Sequence, residues 1–182
     1  MEKRITYFEQ PGEQNTAAVF ELVDVALAET GITKIVLAST RGNTARYAME
    51  HYKGRGVRLI IVPHQYGFGP TGEQRFPAEL VARAQQEGHV VYFGTMLFHM
   101  EKLWGSGTPQ VVADFLRFFC QGVKVCVEIL LMAANGGLVD AGEQVIVVAG
   151  TGRGADTALV MTAGTSIAPK QIHISQILCK PL

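Results

Sequence analysis

The sequence predicts an α/β fold of three layers, with helices on both faces of a mostly parallel sheet. Short β-branched runs, such as Lys34 to Ala38 (KIVLA) and Val57 to Val62, alternate with longer segments of helical periodicity. The joints between them are short and marked by glycine, as right-handed crossovers require. The chain has 182 residues, 48% hydrophobic and 18% charged, which is enough for one sizeable core and short for two. A single domain over residues 1–182 is therefore expected.

Taken in order, Ile5 to Phe8 is a short strand. Asn15 to Thr30 follows as a helix, because Val19, Leu22, Val23, Ala26 and Leu27 recur at helical spacing and Gly31 supplies a left-handed stop. Lys34 to Ala38 is a buried strand, Asn43 to Lys53 a helix ended by Gly54, and Val57 to Val62 a strand. Pro77 to Glu87 is a helix with proline in its first turn, and His89 to Phe93 the next strand. Thr108 followed by Pro109 has the form of a helix N-cap, and the helix runs, or breaks near Gly122 and resumes, as far as Asn135. This region is apolar on nearly all sides, so it is expected to be buried all round by its own sheet or by a second subunit. Val145 to Ala149 and Thr157 to Thr162 are strands, and Ile172 to Cys179 alternates like an edge or half-exposed strand.

Sixteen basic residues balance sixteen acidic ones, which removes the long-range field used to collect nucleic acid or anionic lipid. Cys120, Cys126 and Cys179 match neither a disulfide framework nor a paired metal site, so reduced thiols and a cytoplasmic setting are expected. No uncharged apolar run reaches the roughly 18 residues a membrane span needs; the longest candidate, Val123 to Ala134, is interrupted by Lys124 and Glu128.

The best local signal is Ser39-Thr40-Arg41-Gly42-Asn43-Thr44-Ala45-Arg46, which directly follows a strand and opens a helix. Free amides of a first helical turn and the positive end of the helix dipole converge there on one spot, a cradle for an oxyanion. Ser39, Thr40 and Thr44 add hydroxyls, Gly42 lets backbone approach a ligand, and Arg46 lies about one turn in, where a guanidinium can reach an anion. The plain alternative is a capped helix whose Arg46 pairs with a surface carboxylate. The Walker A spacing GxxxxGK[ST] is absent. The stretches Pro63 to Phe76 and Gly94 to Thr108 follow strands and are natural walls for a site beyond the strands' carboxyl ends.

The run S-T-R-G-N-T-A-R resembles the effector-phosphate loop of pyruvate kinase C-terminal domains. The likeness continues through Val57 to Val62, through Gly142 to Gly150 (GEQVIVVAG), similar to that domain's penultimate strand, and through Thr157 to Val160, similar to its final one. It covers a core of about residues 15 to 163, leaving extra strands at both ends. The resemblance implies a mixed sheet whose last family strand is antiparallel, and a ligand phosphate on Ser39, Thr40, Gly42, Asn43 and Thr44. Arg41 stands where relatives that bind a sugar bisphosphate have a small hydroxyl residue, and the Gly150 to Asp156 loop is short for their effector loop. No part of the sequence resembles the barrel domain that holds the kinase active site, so pyruvate kinase activity is not expected of it.

A second glycine-rich stretch, Gly150 to Thr157 (GTGRGADT), leads into a strand rather than a helix, so it reads either as a tight turn or as a second ligand wall of Thr151, Gly152, Arg153 and Asp156. His64 and Tyr66 lie just after a strand end and are candidates for ligand contact or acid–base chemistry. His99-Met100-Glu101 lacks the cysteine partners of a zinc deaminase, so no metal is expected, and His51, His89 and His173 read as structural or solvated. Trp104, with Phe98 and Met100, fits either a planar ligand or an oligomer contact.

The reading is a protein that binds or senses a phosphate-bearing small molecule, among which phosphorylated metabolites, nucleotides and flavin mononucleotide are candidates. Its alternatives are a small enzyme using His64 or Asp156 as acid or base, and an assembly protein without ligand. No catalytic set is identifiable by spacing. A homo-oligomer is expected, without nucleic-acid or membrane partners.

Overall fold

The computed structural model describes residues 2–105 and 107–182, apart from the side chains of Leu103 and Trp104. The chain runs β1 (Thr6–Phe8), α1 (Thr16–Thr30), β2 (Lys34–Ala38), α2 (Asn43–His51), β3 (Arg58–Val62), α3 (Ala78–Gln86), β4 (Val90–Val91), α4 (Glu101–Trp104), α5 (Thr108–Arg117), α6 (Gln121–Asn135), β5 (Gln144–Ala149), β6 (Thr157–Thr162) and β7 (His173–Pro181). The seven strands form one sheet in the order β1-β7-β6-β5-β2-β3-β4. Pairing is parallel along β5-β2-β3-β4 and between β1 and β7, and antiparallel where β6 meets β5 and β7.

The central strands read as unbroken apolar runs because both of their faces are covered. Ile35, Leu37, Leu59, Ile61, Ile146 and Val148 enter one core with α1, α2 and α3. Val36, Ile60, Val145 and Val147 enter the other beneath α6. The three-layer expectation holds, and so does the antiparallel β6.

The differences are local and have physical causes. The β4 ladder covers only Val90 and Val91 of the expected His89 to Phe93, after which the chain leaves the sheet. Thr108 is the first residue of α5 and Gly107 takes the cap position. The long apolar helix breaks between Arg117 and Gln121, and Cys120 caps the second piece by accepting the Val123 N–H on Sγ at 3.4 Å. The expectation of burial all round holds for α6 and fails for α5, where Val111, Phe115 and Phe118 are 66%, 62% and 80% exposed. Among the described residues the first half of β7 has no outer partner; β1 pairs with Cys179, Lys180 and Pro181. Among the described residues no helix is long and apolar enough to cross a membrane.

Two charged residues lie inside the apolar α6. Lys124 and Glu128 are 1% and 2% exposed and pair at i, i+4, with Nζ 2.5 Å from Oε2. Burial pushes the Glu128 pKa up, but His99, Lys124 and the Phe98 N–H outweigh it, and the carboxyl stays below its ordinary value of 4.5. Burial pulls the Lys124 amine below its own ordinary value, against the opposing pull of Glu128.

Breaking such a pair strands a buried charge. Glu128→Ala is expected to cost about 3–5 kcal/mol in denaturant unfolding, and the double variant Lys124→Met/Glu128→Leu to recover most of it. Because the folded pKa of Glu128 is depressed, its contribution is present above pH 4.5 and is lost as pH falls through the lowered folded value, so the variant should also lose part of the wild-type acid dependence. Phe118→Ser, at an exposed position, should leave monomer stability within about 0.5 kcal/mol.

Candidate functional site

The sheet changes winding direction at β2. The chain moves outward through β3 to β4, then returns to β5 on the other side of β2. The segments leaving the carboxyl ends of β2 and β5 therefore diverge, and a cleft opens between them, the usual ligand position in open α/β sheets. The cleft has a volume of about 690 Å³. Its walls are the Ser39 to Thr44 turn, the His64 to Arg75 loop, Met96 and His99, the inner face of α6, and the Gly150 to Gly154 turn.

The turn after β2 is built from within. Ser39 Oγ accepts the Ala45 N–H at 3.1 Å, and the Arg46 N–H donates to the Gly42 carbonyl at 2.8 Å, which starts the helix. The amides of Asn43 and Thr44 donate to no group among the described residues. Thr44 is buried against the cleft, and Thr40 Oγ1 lies 3.4 Å from His64 Nε2. Gly42 has φ +85, and a Cβ there would press into Leu80 and Pro77 of the α3 region. It is glycine because α3 packs on the turn, not because a ligand approaches it. Arg46 leaves the cleft as well. It sits about 200° round the helix from Thr44, and Nη2 meets Glu79 at 3.3 Å on the surface.

The Gly150 to Asp156 turn is rigid for similar reasons. Asp156 is fully buried; Oδ2 accepts the amides of Thr151 and Gly12 at 2.9 and 3.0 Å, and Oδ1 accepts the Thr157 hydroxyl at 2.8 Å. These bonds bind the turn to the start of α1, where the Ala155 N–H also donates to Thr16 Oγ1 at 3.0 Å. Gly154, at φ +69, packs on Glu13 and Thr16 too closely for any side chain. Thr151 and Asp156 are thus the turn's fastenings and stand outside the cleft lining, while Gly152 and Arg153 reach it.

Of the two aromatic candidates, His64 lines the cleft and Tyr66 does not; Tyr66 is 67% exposed and rests on Phe93 with ring centroids 5.1 Å apart. Burial, together with Arg75 and His99 nearby, lowers the pKa of His64, and its Nδ1 is buried without a partner. The remaining histidines divide as follows. His51 pairs with Asp24 at 2.9 Å, His89 accepts the Leu59 N–H on Nδ1 at 3.3 Å, and His173 is exposed on β7. The Trp104 side chain lies outside the described residues.

Sequence reading missed the floor of the cleft. Lys124 and Glu128 face it from α6, and Glu128 Oε1 accepts both the Phe98 N–H at 2.9 Å and a bond from His99 Nδ1 at 3.1 Å. Gln65 joins the two wall loops by accepting the Met96 N–H at 2.7 Å. The available signal was the pair of opposite charges four residues apart in an apolar helix, which solvent exposure cannot explain. Arg75 also lines the cleft. Among the described residues Arg41, Arg75 and Arg153 of the cleft meet no carboxylate, nor do Arg4 and Arg58 outside it, whereas Arg46, Arg55, Arg83 and Arg117 each do. No group of three metal-ligating side chains occurs among them.

In comparison with solved structures, the chain is similar to Cryptosporidium parvum pyruvate kinase in complex with ADP, at 16% identity and a TM-score of 0.43. The match covers 86% of this chain and 25% of that one, so the chain spans about a quarter of that enzyme's length. The family model described as pyruvate kinase, alpha/beta domain, matches residues 17–161, and with most of its length so matched the chain belongs to that family.

Proposed function

We propose that the cleft binds a phosphate-bearing small molecule, a phosphorylated metabolite or a mononucleotide, with its phosphate against the amides of Asn43 and Thr44. The observation that carries this reading is the company those amides keep: three guanidiniums without carboxylate partners among the described residues line the same cleft in a chain of zero net charge. Unpaired cations beside a helix N-terminus concentrate positive potential where an anion gains both charge-assisted hydrogen bonds and the helix dipole. Phe68, Met96, Ile129 and Met132 provide apolar wall for the rest of the molecule, which suits the ring of a nucleotide or of flavin mononucleotide.

A second reading concerns self-association. Val111, Val112, Phe115, Phe118 and Phe119 are exposed on and just after α5 and form an apolar surface of the kind that pairs with a like surface. We infer a homo-oligomer assembled through α5. The three cysteines are unbridged, in keeping with a cytoplasmic setting.

The binding reading is tested by thermal shift and calorimetry with inorganic phosphate, adenosine monophosphate and flavin mononucleotide. A compound at about 100 times its dissociation constant should add about 2.7 kcal/mol of stability. Thr44→Val and Arg153→Ala should each weaken binding about tenfold. Arg46→Ala, facing Glu79, should leave it unchanged. Gly42→Leu is unsuitable because it breaks packing against α3. Absence of a shift with every phosphate compound would refute the reading. For self-association, light scattering should report a larger species for the wild type and a monomer for Phe118→Glu; a wild-type monomer would overturn it.

A further inference from the structure

The cleft lining brings together two kinds of group. The turn and loop walls supply the open amides of α2 with Arg41, Arg75 and Arg153. The floor supplies Lys124 and Glu128, with His99 beside them, and there the Lys124 charge is balanced by Glu128 within the pair. All the bonds that Glu128 makes are internal: Oε2 to Lys124 Nζ at 2.5 Å, Oε1 to the Phe98 N–H at 2.9 Å and to His99 Nδ1 at 3.1 Å. An anionic carboxylate at Nδ1 requires a proton on that nitrogen, so in the neutral ring Nε2 is left as the acceptor. No partner reaches Nε2 among the described residues, and the ring lines the cleft. Phe68 fixes its plane, edge-on at 5.3 Å and 89°.

We propose that His99 and the floor beside it form a second recognition subsite, in which His99 Nε2 accepts a hydrogen bond from a hydroxyl on the body of the ligand, with Glu128 and Lys124 as positioning residues. The ligand class is then a phosphomonoester with a hydroxylated, uncharged body. This rests on the phosphate reading above, since the phosphate sets which part of the ligand reaches His99. Cationic walls over a floor that is neutral as a pair and offers an acceptor match such a molecule. The Glu128 carboxylate disfavours a second anionic group beside it.

The test uses matched pairs of probes that differ only in hydroxyls: propyl phosphate against glycerol 3-phosphate, and hexyl phosphate against sorbitol 6-phosphate. Their affinities are measured by calorimetry for the wild type, His99→Phe and His99→Gln. The apolar wall gives each alkyl chain its own affinity, so the informative quantity is the ratio within a pair. In His99→Phe that ratio should move about three- to tenfold against the hydroxylated member of at least one pair, the loss of one hydrogen bond. The alkyl phosphate should remain bound, and the change should come from weaker binding of the hydroxylated member. His99→Gln, which keeps an acceptor at similar reach, should restore part of the ratio. Ratios unchanged in His99→Phe, with alkyl phosphates still bound and still weakened by Thr44→Val, would overturn the subsite and leave the phosphate reading standing. Failure of all four probes to bind the wild type would overturn both.

Discussion

The reversal of winding at β2 is the constraint on which the rest of the molecule depends. Had β5 followed β4 outward, every connection would lie alongside its neighbour and no cleft would open. Because β5 returns to pair with β2, with Ile35, Val36 and Leu37 opposite Ile146, Val147 and Val148, the two central strands send their chains apart. Helix α2 starts on one side of the gap and the Gly150 to Gly154 turn crosses the other. The antiparallel β6 then allows a tight connection instead of a crossover, and Asp156 holds that connection by accepting three bonds. The cleft is therefore bordered by the central strands and by a turn tied down through Asp156.

The glycines at the two turns of this cleft serve packing. Gly42 and Gly154 both have positive φ, and both are pressed by protein: Leu80 and Pro77 in one case, Glu13 and Thr16 in the other. Neighbouring helices seat their ends on the turns through these contacts. This bears on how a phosphate cradle is recognised from sequence. The glycine marks the strand-to-helix turn, but the groups left open to the cleft are the amides and hydroxyls beside it.

Much of the fold was legible because its signals are local. KIVLA and the Val57 to Val62 run are β-branched and continuous, Gly31 stops α1, and Thr157 to Thr162 lies where the sequence places it. The candidate site was legible only where a residue's place follows from chain direction, at the turn after β2. What failed required knowing which way a side chain faces across space. Arg46 is one turn into α2, and its azimuth carries it to Glu79; nothing local reveals that α3 waits there with a carboxylate. Asp156 is a polar residue in a glycine-rich turn, and only the fold brings the Gly12 amide to it across 144 residues of chain. Tyr66 follows His64 by two residues, yet one faces the cleft and the other solvent.

The floor of the cleft shows why the missing signal lay in α6. Lys124 and Glu128 were informative to sequence reading only as interruptions of an apolar run. Their burial is costly: each ion leaves water, and the mutual attraction repays this only when the remaining hydrogen bonds are also made. Here they are made, by Phe98 and His99, from a loop distant in sequence. A pair of apolar residues would fill the same volume without that cost, and α6 is otherwise built that way, with Val123, Cys126, Ile129, Leu130 and Ala133. The two charged positions are those of α6 that meet both the cleft and the loop carrying His99. An ion pair placed where packing does not require it, bonded through Glu128 to an imidazole that lines the cleft, is better accounted for by the cleft than by the core.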